Sequence, residues 1–286
     1  MRAGGVRPGG SCAGRNRAGG ALAATGYHDR VTDRTTASTS SSASGGRVIT
    51  SLAIAVATAI VIVTGSILPF LSPAWVGFEQ RRAEALAWTG FGDTELTAVT
   101  NAILGDLILG AGSFDVALAG EPVLNERERG HMRDVRTVFV GLWVLTAAAA
   151  AGLVILWRRT SAPGAPRRQG VFWRAVRGGA SSLAIAVIGL GAVALLAFDV
   201  LFEGFHRLLF AGGSYTFDPA SERLVQLFPF RFWQETAIVV GAVIVLACVA
   251  VTFAARRTGG ASIIEPDAAD RAESALGPAA GTEARS

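Results

Sequence analysis

The sequence predicts an all-α integral membrane protein with four transmembrane helices. Hydrophobic residues make up 51% of the 286-residue chain, charged residues only 17%, and the mean hydropathy is +0.43. The hydrophobic fraction and the hydropathy lie above those of most soluble domains of this length, and the charged fraction lies below. Four apolar runs are also long enough to cross a hydrocarbon core of about 30 Å, which takes about 20 helical residues.

The four predicted spans cover residues 48–71, 135–157, 180–202 and 236–254. A strand of a transmembrane β-barrel alternates apolar and polar positions. The run from 238 to 251, by contrast, is continuously apolar apart from small residues. Because lipid offers the backbone no hydrogen-bond partners, such a run spans a membrane as a helix.

The arginines predict which side of the membrane each loop occupies. The link between the second and third spans contains six arginines and no acidic residue, and Arg256 and Arg257 close the fourth span. Short basic loops stay in the cytoplasm, so we expect cytoplasmic termini in a plasma-membrane protein. The loops 72–134 and 203–235 mix Arg with Asp and Glu and are expected to be extracytoplasmic. This topogenic role accounts for the basic charge without a nucleic-acid partner.

The two ends of the chain are predicted to be disordered tails. Residues 1–46 are rich in Gly, Ser, Thr, Ala and Arg, and residues 258–286 in Ala, Gly, Glu and Asp. Such compositions bury too little apolar surface to offset chain entropy. The membrane domain is therefore expected to cover residues 47–257.

An amphipathic helix is predicted within the first outer loop. Leu96, Val99, Ile103 and Leu107 recur at helical spacing, with polar residues elsewhere on the wheel. One interpretation places this helix on the outer leaflet. The other places it across the mouth of the bundle as a cap. In either case it covers the predicted outer ends of the spans.

Two of the three histidines lie at the predicted outer ends of neighbouring spans. His131 precedes the second span and His206 follows the third, whereas His28 falls in the N-terminal tail. A lone interfacial histidine ordinarily reaches toward water. The shared membrane face and the polar neighbours of both residues favour a functional site, because histidine exchanges protons near neutral pH.

Acidic residues near the histidines are further candidates for the site. Asp134 lies one helical turn after His131 and Glu128 one turn before it, so both can share its helical face. The alternative for Asp134 is the N-cap of a helix that begins with the second span. Asp199 is a carboxylate inside the third span, where a charge is costly. It either lines the site or pairs with an arginine.

Basic and aromatic residues complete the candidate set. Arg133 and Arg207 are suited to hold an oxyanion or a phosphate, and Tyr215 and Asp218 lie in the second outer loop. Aromatic residues at 230, 232 and 233 are typical of an interfacial belt. That belt does not account for a His and an Arg in the same short loop. A lipid-accessible pocket accounts for both.

Two sequence blocks together resemble the bacterial lipoprotein intramolecular transacylase (Lit) family. The first reads N-E-R-E-R-G-H-M-R-D-V from Asn125 to Val135. The second runs from Phe205 to Trp233 and contains F-H-R-L-L-F, Y-T-F-D-P and L-V-Q-L-F-P-F-R-F-W. The resemblance covers about residues 47–257. It implies transfer of the sn-2 acyl chain of a diacylglyceryl-modified lipoprotein to the α-amine of its N-terminal cysteine, with His131 and His206 as the essential histidines.

The chemistry of that transfer fits two histidines without a cofactor. A base must take a proton from the amine, and a donor must stabilise the oxyanion and protonate the leaving alkoxide. Because ester and amine belong to one substrate molecule, proximity removes the need for a serine or cysteine nucleophile. The residues leave open which histidine is the base.

Two other functions remain open at this point. One is a non-enzymatic membrane accessory or sensor protein whose histidines respond to external pH. The other is a zinc-dependent membrane hydrolase with His131, His206, Glu128 and Asp134 as ligands, although the chain lacks HExxH and HxxEH spacing.

Overall fold

The structure, a computed structural model, describes residues 28–161, 166–210 and 213–275, with side chains described for 45–161, 168–210 and 213–258. The chain divides into two compact units, Met1–Val48 and Ile49–Ser286. The elements in chain order are α1 (His28–Ile67), a 3-10 turn (Leu68–Leu71), α2 (Pro73–Arg82), α3 (Ala85–Thr89), α4 (Asp93–Ile108), β1 (Ala117–Leu118), β2 (Glu121–Pro122), α5 (Glu126–Thr160), α6 (Pro166–Leu209), α7 (Arg223–Leu227) and α8 (Phe230–Ala275).

Four of these helices are long and apolar enough to cross a membrane. The membrane-crossing segments are Gly45–Leu71, Glu126–Thr160, Arg168–Leu209 and Phe230–Thr258, and each contains one predicted span. Large apolar side chains on them face outward, such as Leu196 at 91% exposure, as expected for helices in lipid. The prediction of an all-α membrane protein with four spans is confirmed.

Helices enter both segments that we predicted to be tails. Helix α1 begins at His28, and α8 continues to Ala275. Residues 1–27 and 276–286 lie outside the described part of the chain. Disorder of the tails therefore stays a prediction.

Residues 72–125 and 213–229, named here the loop layer, join the spans at one end of the bundle. The layer contains α2, α3, α4, the hairpin and α7. The hairpin pairs Ala117 with Pro122 and Leu118 with Glu121 in antiparallel register. Its two turn residues, Ala119 and Gly120, both have positive φ, 53° and 87°. That is the backbone of a tight primed turn, which Gly adopts without strain.

The core of the loop layer is built on the apolar face of α4. Its buried residues include Leu96, Val99, Ile103 and Leu107, so the predicted amphipathic helix is confirmed. This face contacts protein, in one apolar cluster with side chains from the residues on either side of the hairpin, from α5 and from α7: Phe114, Val116, Val123, Leu124, Met132, Leu224 and Leu227. The cluster fixes the start of α5, and thereby one wall of the site, against the loop layer.

Candidate active site between the ends of α5 and α6

Helix α5 begins at Glu126, well before the predicted span, because a capping box starts it there. The Asn125 side chain accepts a hydrogen bond from the Glu128 N–H at 3.0 Å. The Glu128 Oε2 atom accepts one from the Asn125 N–H at 2.7 Å. Two otherwise unpaired N–H groups are satisfied in this way. Asp134 therefore lies inside the helix, and its interpretation as an N-cap is wrong.

Glu128 also ties α5 to α7. Its Oε1 atom accepts a hydrogen bond from the Leu224 N–H at 2.6 Å, and the residue is 1% exposed. Both carboxylate oxygens are thus held by backbone N–H groups from different segments, which is how a buried charge is tolerated. Glu128 joins two parts of the site, one helical turn before His131.

His131 lies among aromatic rings near the start of α5. It is 7% exposed, and the centroid of its ring lies 4.9 Å from that of Phe210 and 5.4 Å from that of Phe217, both edge to face. Its Nδ1 atom is buried with no hydrogen-bond partner among the described residues. A buried polar atom without a partner is uncommon and asks for an explanation.

His206 lies on the last turns of α6, beside His131. The two ring centroids are 6.2 Å apart, with 24° between the ring planes. The Nδ1 atom of His206 lies 2.7 Å from the Phe202 carbonyl oxygen. A carbonyl oxygen can only accept, so Nδ1 carries the proton and Nε2 of the neutral ring carries a free lone pair. The backbone of α6 thereby selects the tautomer.

Tyr215 and Arg207 meet at Glu203, a residue that sequence analysis did not select. Glu203 Oε1 accepts hydrogen bonds from the Tyr215 hydroxyl at 3.0 Å and from Arg207 Nε at 2.8 Å. The Tyr215 ring lies 5.1 Å from the ring of His206. The signal for Glu203 was its spacing of i,i+4 to Arg207 on one helix. Arg207 is thus engaged in an ion pair beside the histidines.

Three other candidates lie outside the immediate contacts of the histidines. Arg133 is bound to Glu126, 2.6 Å away. Asp134 is exposed, and no hydrogen bond joins it to His131. Asp199 is exposed, two residues after Ala197, where α6 leaves the helical conformation, and it forms no ion pair among the described side chains.

Asp218 shapes the loop after α6 and does not contact the histidines. Its carboxylate accepts hydrogen bonds from the Ala220 N–H at 3.0 Å and the Ser221 hydroxyl at 2.9 Å. These bonds lower the pKa of Asp218 and close a turn of the kind that Asp favours.

The geometry gives no support to a metal-dependent hydrolase. Among the described side chains, no three His, Cys, Asp or Glu residues lie close enough together to hold a metal ion. Both oxygens of Glu128, one of the predicted ligands, are bound to backbone N–H groups instead.

Comparison with known proteins identifies the family. A family model described as lipoprotein intramolecular transacylase Lit matches residues 49–233, more than half of the chain. The chain belongs to the Lit family. A search of curated proteins finds no match.

Solved Lit structures from Bacillus cereus share the fold. One covers 78% of this chain and 99% of its own, with 15% identity and a TM-score of 0.58. A variant with a histidine-to-arginine substitution covers 80% of this chain and 99% of its own, with 16% identity and a TM-score of 0.62. A variant with a histidine-to-alanine substitution covers 75% of this chain and 94% of its own, with 17% identity and a TM-score of 0.59. At such identities the likeness concerns the fold alone.

Several residues that surround the histidines in this Lit family member were not selected from the sequence. Phe202, Phe210 and Phe217 contact the two imidazoles. Phe210 and Phe217 lie in the blocks F-H-R-L-L-F and Y-T-F-D-P, so the signal was present. A single sequence does not show which aromatic residues of a dense loop face inward.

Proposed function

We propose that this member of the Lit family transfers an O-linked acyl chain of a diacylglyceryl lipoprotein to the amine of its N-terminal cysteine. The observation that supports this most strongly is the pair of imidazoles at the ends of α5 and α6, with ring centroids 6.2 Å apart. At this spacing, nitrogen atoms of both rings come within hydrogen-bonding reach of one reacting group, about 3 Å each.

The tautomer of His206 favours this residue as the general base. Its Nε2 lone pair takes the proton as the amine attacks the ester carbonyl carbon and the C–N bond forms. The Nδ1–H···O bond to Phe202 then stabilises the resulting imidazolium. When the C–O ester bond breaks, the same Nε2 gives the proton to the leaving oxygen. The proton that leaves the amine thus ends on the leaving oxygen, and His206 returns to its neutral form.

His131 is then the donor to the oxyanion. Because its Nδ1 atom has no partner among the described residues, a proton on Nε2 leaves no N–H group buried and unpaired there. The Nε2–H group can hydrogen-bond the carbonyl oxygen as negative charge develops. Aromatic rings around His131 exclude water from this step, which strengthens such a bond.

We further propose that the loop layer faces the outside and caps a lipid-accessible site. The basic residues at the opposite end of the bundle, Arg158, Arg159, Arg256 and Arg257, support cytoplasmic termini through the positive-inside rule. The ester of a diacylglyceryl group lies near the membrane surface. Membrane lipids and a lipoprotein anchored in the same leaflet are the partners that this placement implies.

The central test is product formation in a bacterium that lacks lipoprotein N-acylation. Mass spectra of lipoprotein N-terminal peptides are compared for wild type, His131→Ala and His206→Ala, with His28→Ala as the control for the third histidine. We expect an N-acyl, S-monoacyl-glyceryl peptide with wild type and His28→Ala, and a loss of about 10²-fold or more in the other two. Unchanged diacyl peptides with wild-type protein in the membrane would refute the activity and favour the accessory or sensor function.

Glutamine substitutions test the assignment of roles. A glutamine amide can donate a hydrogen bond but cannot take a proton at neutral pH. We therefore expect His131→Gln to retain at least about tenfold more rate than His131→Ala, the worth of one charge-assisted hydrogen bond. His206→Gln should be as inactive as His206→Ala. The reverse pattern would exchange the two roles.

A further inference from the structure

One short segment of the loop layer contacts both histidines. The Tyr215 ring lies 5.1 Å from the ring of His206, and the Phe217 ring lies 5.4 Å from that of His131. Tyr215, Thr216 and Phe217, named here the covering segment, therefore set the surroundings of the two imidazoles together. A shift of this segment alters both at once.

Arg127 holds the covering segment from the first turn of α5. Its NH1 group donates a hydrogen bond to the Thr216 carbonyl oxygen at 2.8 Å. Its guanidinium carbon lies 5.0 Å from the centroid of the Phe217 ring, within the range of a cation–π contact. One side chain thus holds the middle of the segment and the ring that covers His131.

Glu222 in turn fixes Arg127. Its side chain is 8% exposed and accepts a hydrogen bond from Arg127 NH2 at 2.5 Å. It also accepts bonds from the Asp218 N–H at 2.6 Å and the Asn125 Nδ2 at 3.3 Å. A buried carboxylate needs such partners. Here they come from the start of α5 and from the residue that directly follows the covering segment.

We infer that Arg127 and Glu222 are positioning residues, a clamp that holds the covering segment across His131 and His206. The inference rests on the proposed function and deepens it. Neither residue contacts an imidazole, and the clamp acts through Thr216 and Phe217. Its effect is to keep His131 covered and both rings aligned toward one reacting group.

Three substitutions separate the parts of the clamp. Arg127→Met keeps the apolar stem and removes the charge and the donors. Arg127→Lys keeps the charge but not the planar fork that reaches Thr216 and Glu222 together. Glu222→Gln removes the buried charge with little change in shape. Arg81→Met is the matched control, because Arg81 forms an exposed pair with Asp93 elsewhere in the loop layer.

The first readout does not depend on activity. The full chain in nanodiscs is treated with diethylpyrocarbonate, and modification of His131 is followed by peptide mass spectrometry. His131 is 7% exposed and should react slowly in wild type. Since opening of the segment is governed by the local free energy, loss of a charged hydrogen bond should raise the rate about tenfold in Arg127→Met. Arg81→Met should match wild type.

The second readout is kinetic. Misalignment of the histidines should lower kcat about tenfold or more with little change in KM, since it weakens interactions made in the transition state. Arg127→Lys should be intermediate. The double variant Arg127→Met with Glu222→Gln should be no worse than Arg127→Met alone, because both substitutions break one unit.

Unchanged labelling and unchanged kcat in folded Arg127→Met and Glu222→Gln would overturn the clamp. If these variants fail to fold, Phe217→Leu removes the covering ring and keeps the backbone contacts. Faster His131 labelling in Phe217→Leu would support covering by the segment, and unchanged labelling would overturn it. If labelling responds but wild type forms no N-acyl product, the proposed function fails and the clamp stands. If wild type is active and neither readout responds, the clamp alone fails.

Discussion

The spanning helices and the loop layer are held together by different interactions. Between spans, the described contacts are mainly apolar, with a hydroxyl pair such as Thr64 with Thr146. The loop layer and the first turn of α5, which packs against it, instead bury carboxyl and amide groups: Glu79 and Gln80 in the layer and Glu128 in α5. A transmembrane helix satisfies its own backbone, whereas short irregular segments depend on side chains for the same purpose. The site lies where the two kinds of structure meet.

Gln80 illustrates the second kind of structure. It is fully buried, donates a hydrogen bond to the Leu227 carbonyl oxygen at 3.1 Å and accepts one from the Thr100 hydroxyl at 2.8 Å. One amide therefore joins α2, α4 and α7. Such a residue has no apolar substitute, because removal leaves a carbonyl without a partner. We expect the loss of a buried, hydrogen-bonded group next to or within the loop layer to cost more than the loss of a hydrogen bond between spans.

The largest expected effect on stability is that of Glu128→Ala. It removes the acceptor for the Asn125 N–H and for the Leu224 N–H, so about 3 kcal/mol of unfolding free energy should be lost. Glu128→Gln keeps one acceptor oxygen and should lose about half as much. Thermal or denaturant unfolding in detergent measures both. The control Glu126→Ala removes a 71%-exposed carboxylate from the same helical turn and should cost under about 1 kcal/mol. Equal losses of stability for Glu128→Ala and Glu126→Ala would show that the buried carboxylate contributes no more than the exposed one.

Glu79 makes the loop layer sensitive to pH. It is 1% exposed on α2 and faces Arg82 of its own helix and Glu235 and Arg231 of α8. Burial, followed by the neighbouring Glu235, raises the pKa of Glu79 from 4.5 to about 7, against the effect of the two arginines. The folded state therefore binds this proton more tightly than the unfolded state. Its contribution to stability is complete below pH 4.5 and is lost as pH rises through about 7.

Glu79→Gln should remove that dependence on pH. We expect a Tm close to that of wild type near pH 5 and a stabilisation of up to about 3 kcal/mol near pH 8, where wild type holds a buried charge. Thermal unfolding across this range in one detergent is the measurement. Glu121→Gln, at an exposed position of β2, is the control and should follow wild type. If the stability of Glu79→Gln changed with pH in parallel with that of wild type, Glu79 would titrate as an exposed residue does.

The same contrast explains which features could be predicted from the sequence. The spans follow from local hydropathy, and α4 follows from the spacing of Leu96, Val99, Ile103 and Leu107. Both are properties of a contiguous stretch. The start of α5 was left open between two positions because its first turns are polar. There the bond between Asn125 and Glu128 extends the helix beyond its apolar part.

The candidate site was predicted only in part for a related reason. Two sequence blocks pointed to His131 and His206, which the structure brings together. Arg127 and Glu222 were missed because they are 95 positions apart in sequence. Nothing local to either residue indicates that it pairs with the other. Long-range polar pairs in an irregular layer are specified by tertiary structure rather than by periodicity.

Among the spans, the expected effect of a substitution is a steric clash between two helices. Gly179 of α6 lies against α1, and a Cβ atom there would come within 2.4 Å of the Ala55 carbonyl oxygen. Gly179→Ala should force the helices apart and cost about 1–3 kcal/mol. Gly189→Ala, where a Cβ atom meets nothing within 4 Å, is the control and should be neutral or slightly stabilising. Equal behaviour of the two variants in thermal unfolding would show that close packing of α1 and α6 does not limit stability.

The smallest expected effect concerns a polar contact between spans. Thr146 donates its hydroxyl proton to the Leu142 carbonyl oxygen at 2.7 Å, so in the 2.8 Å pair Thr64 is the donor. Thr64→Val removes this donor, keeps the volume and leaves Thr146 bonded within its own helix. A loss of about 0.6 kcal/mol is expected. Thr58→Val is the control, since among the described residues its hydroxyl bonds only to Ile54 of the same helix. A loss for Thr64→Val as large as that for Glu128→Ala would mean that hydrogen bonds hold the spans as they hold the loop layer.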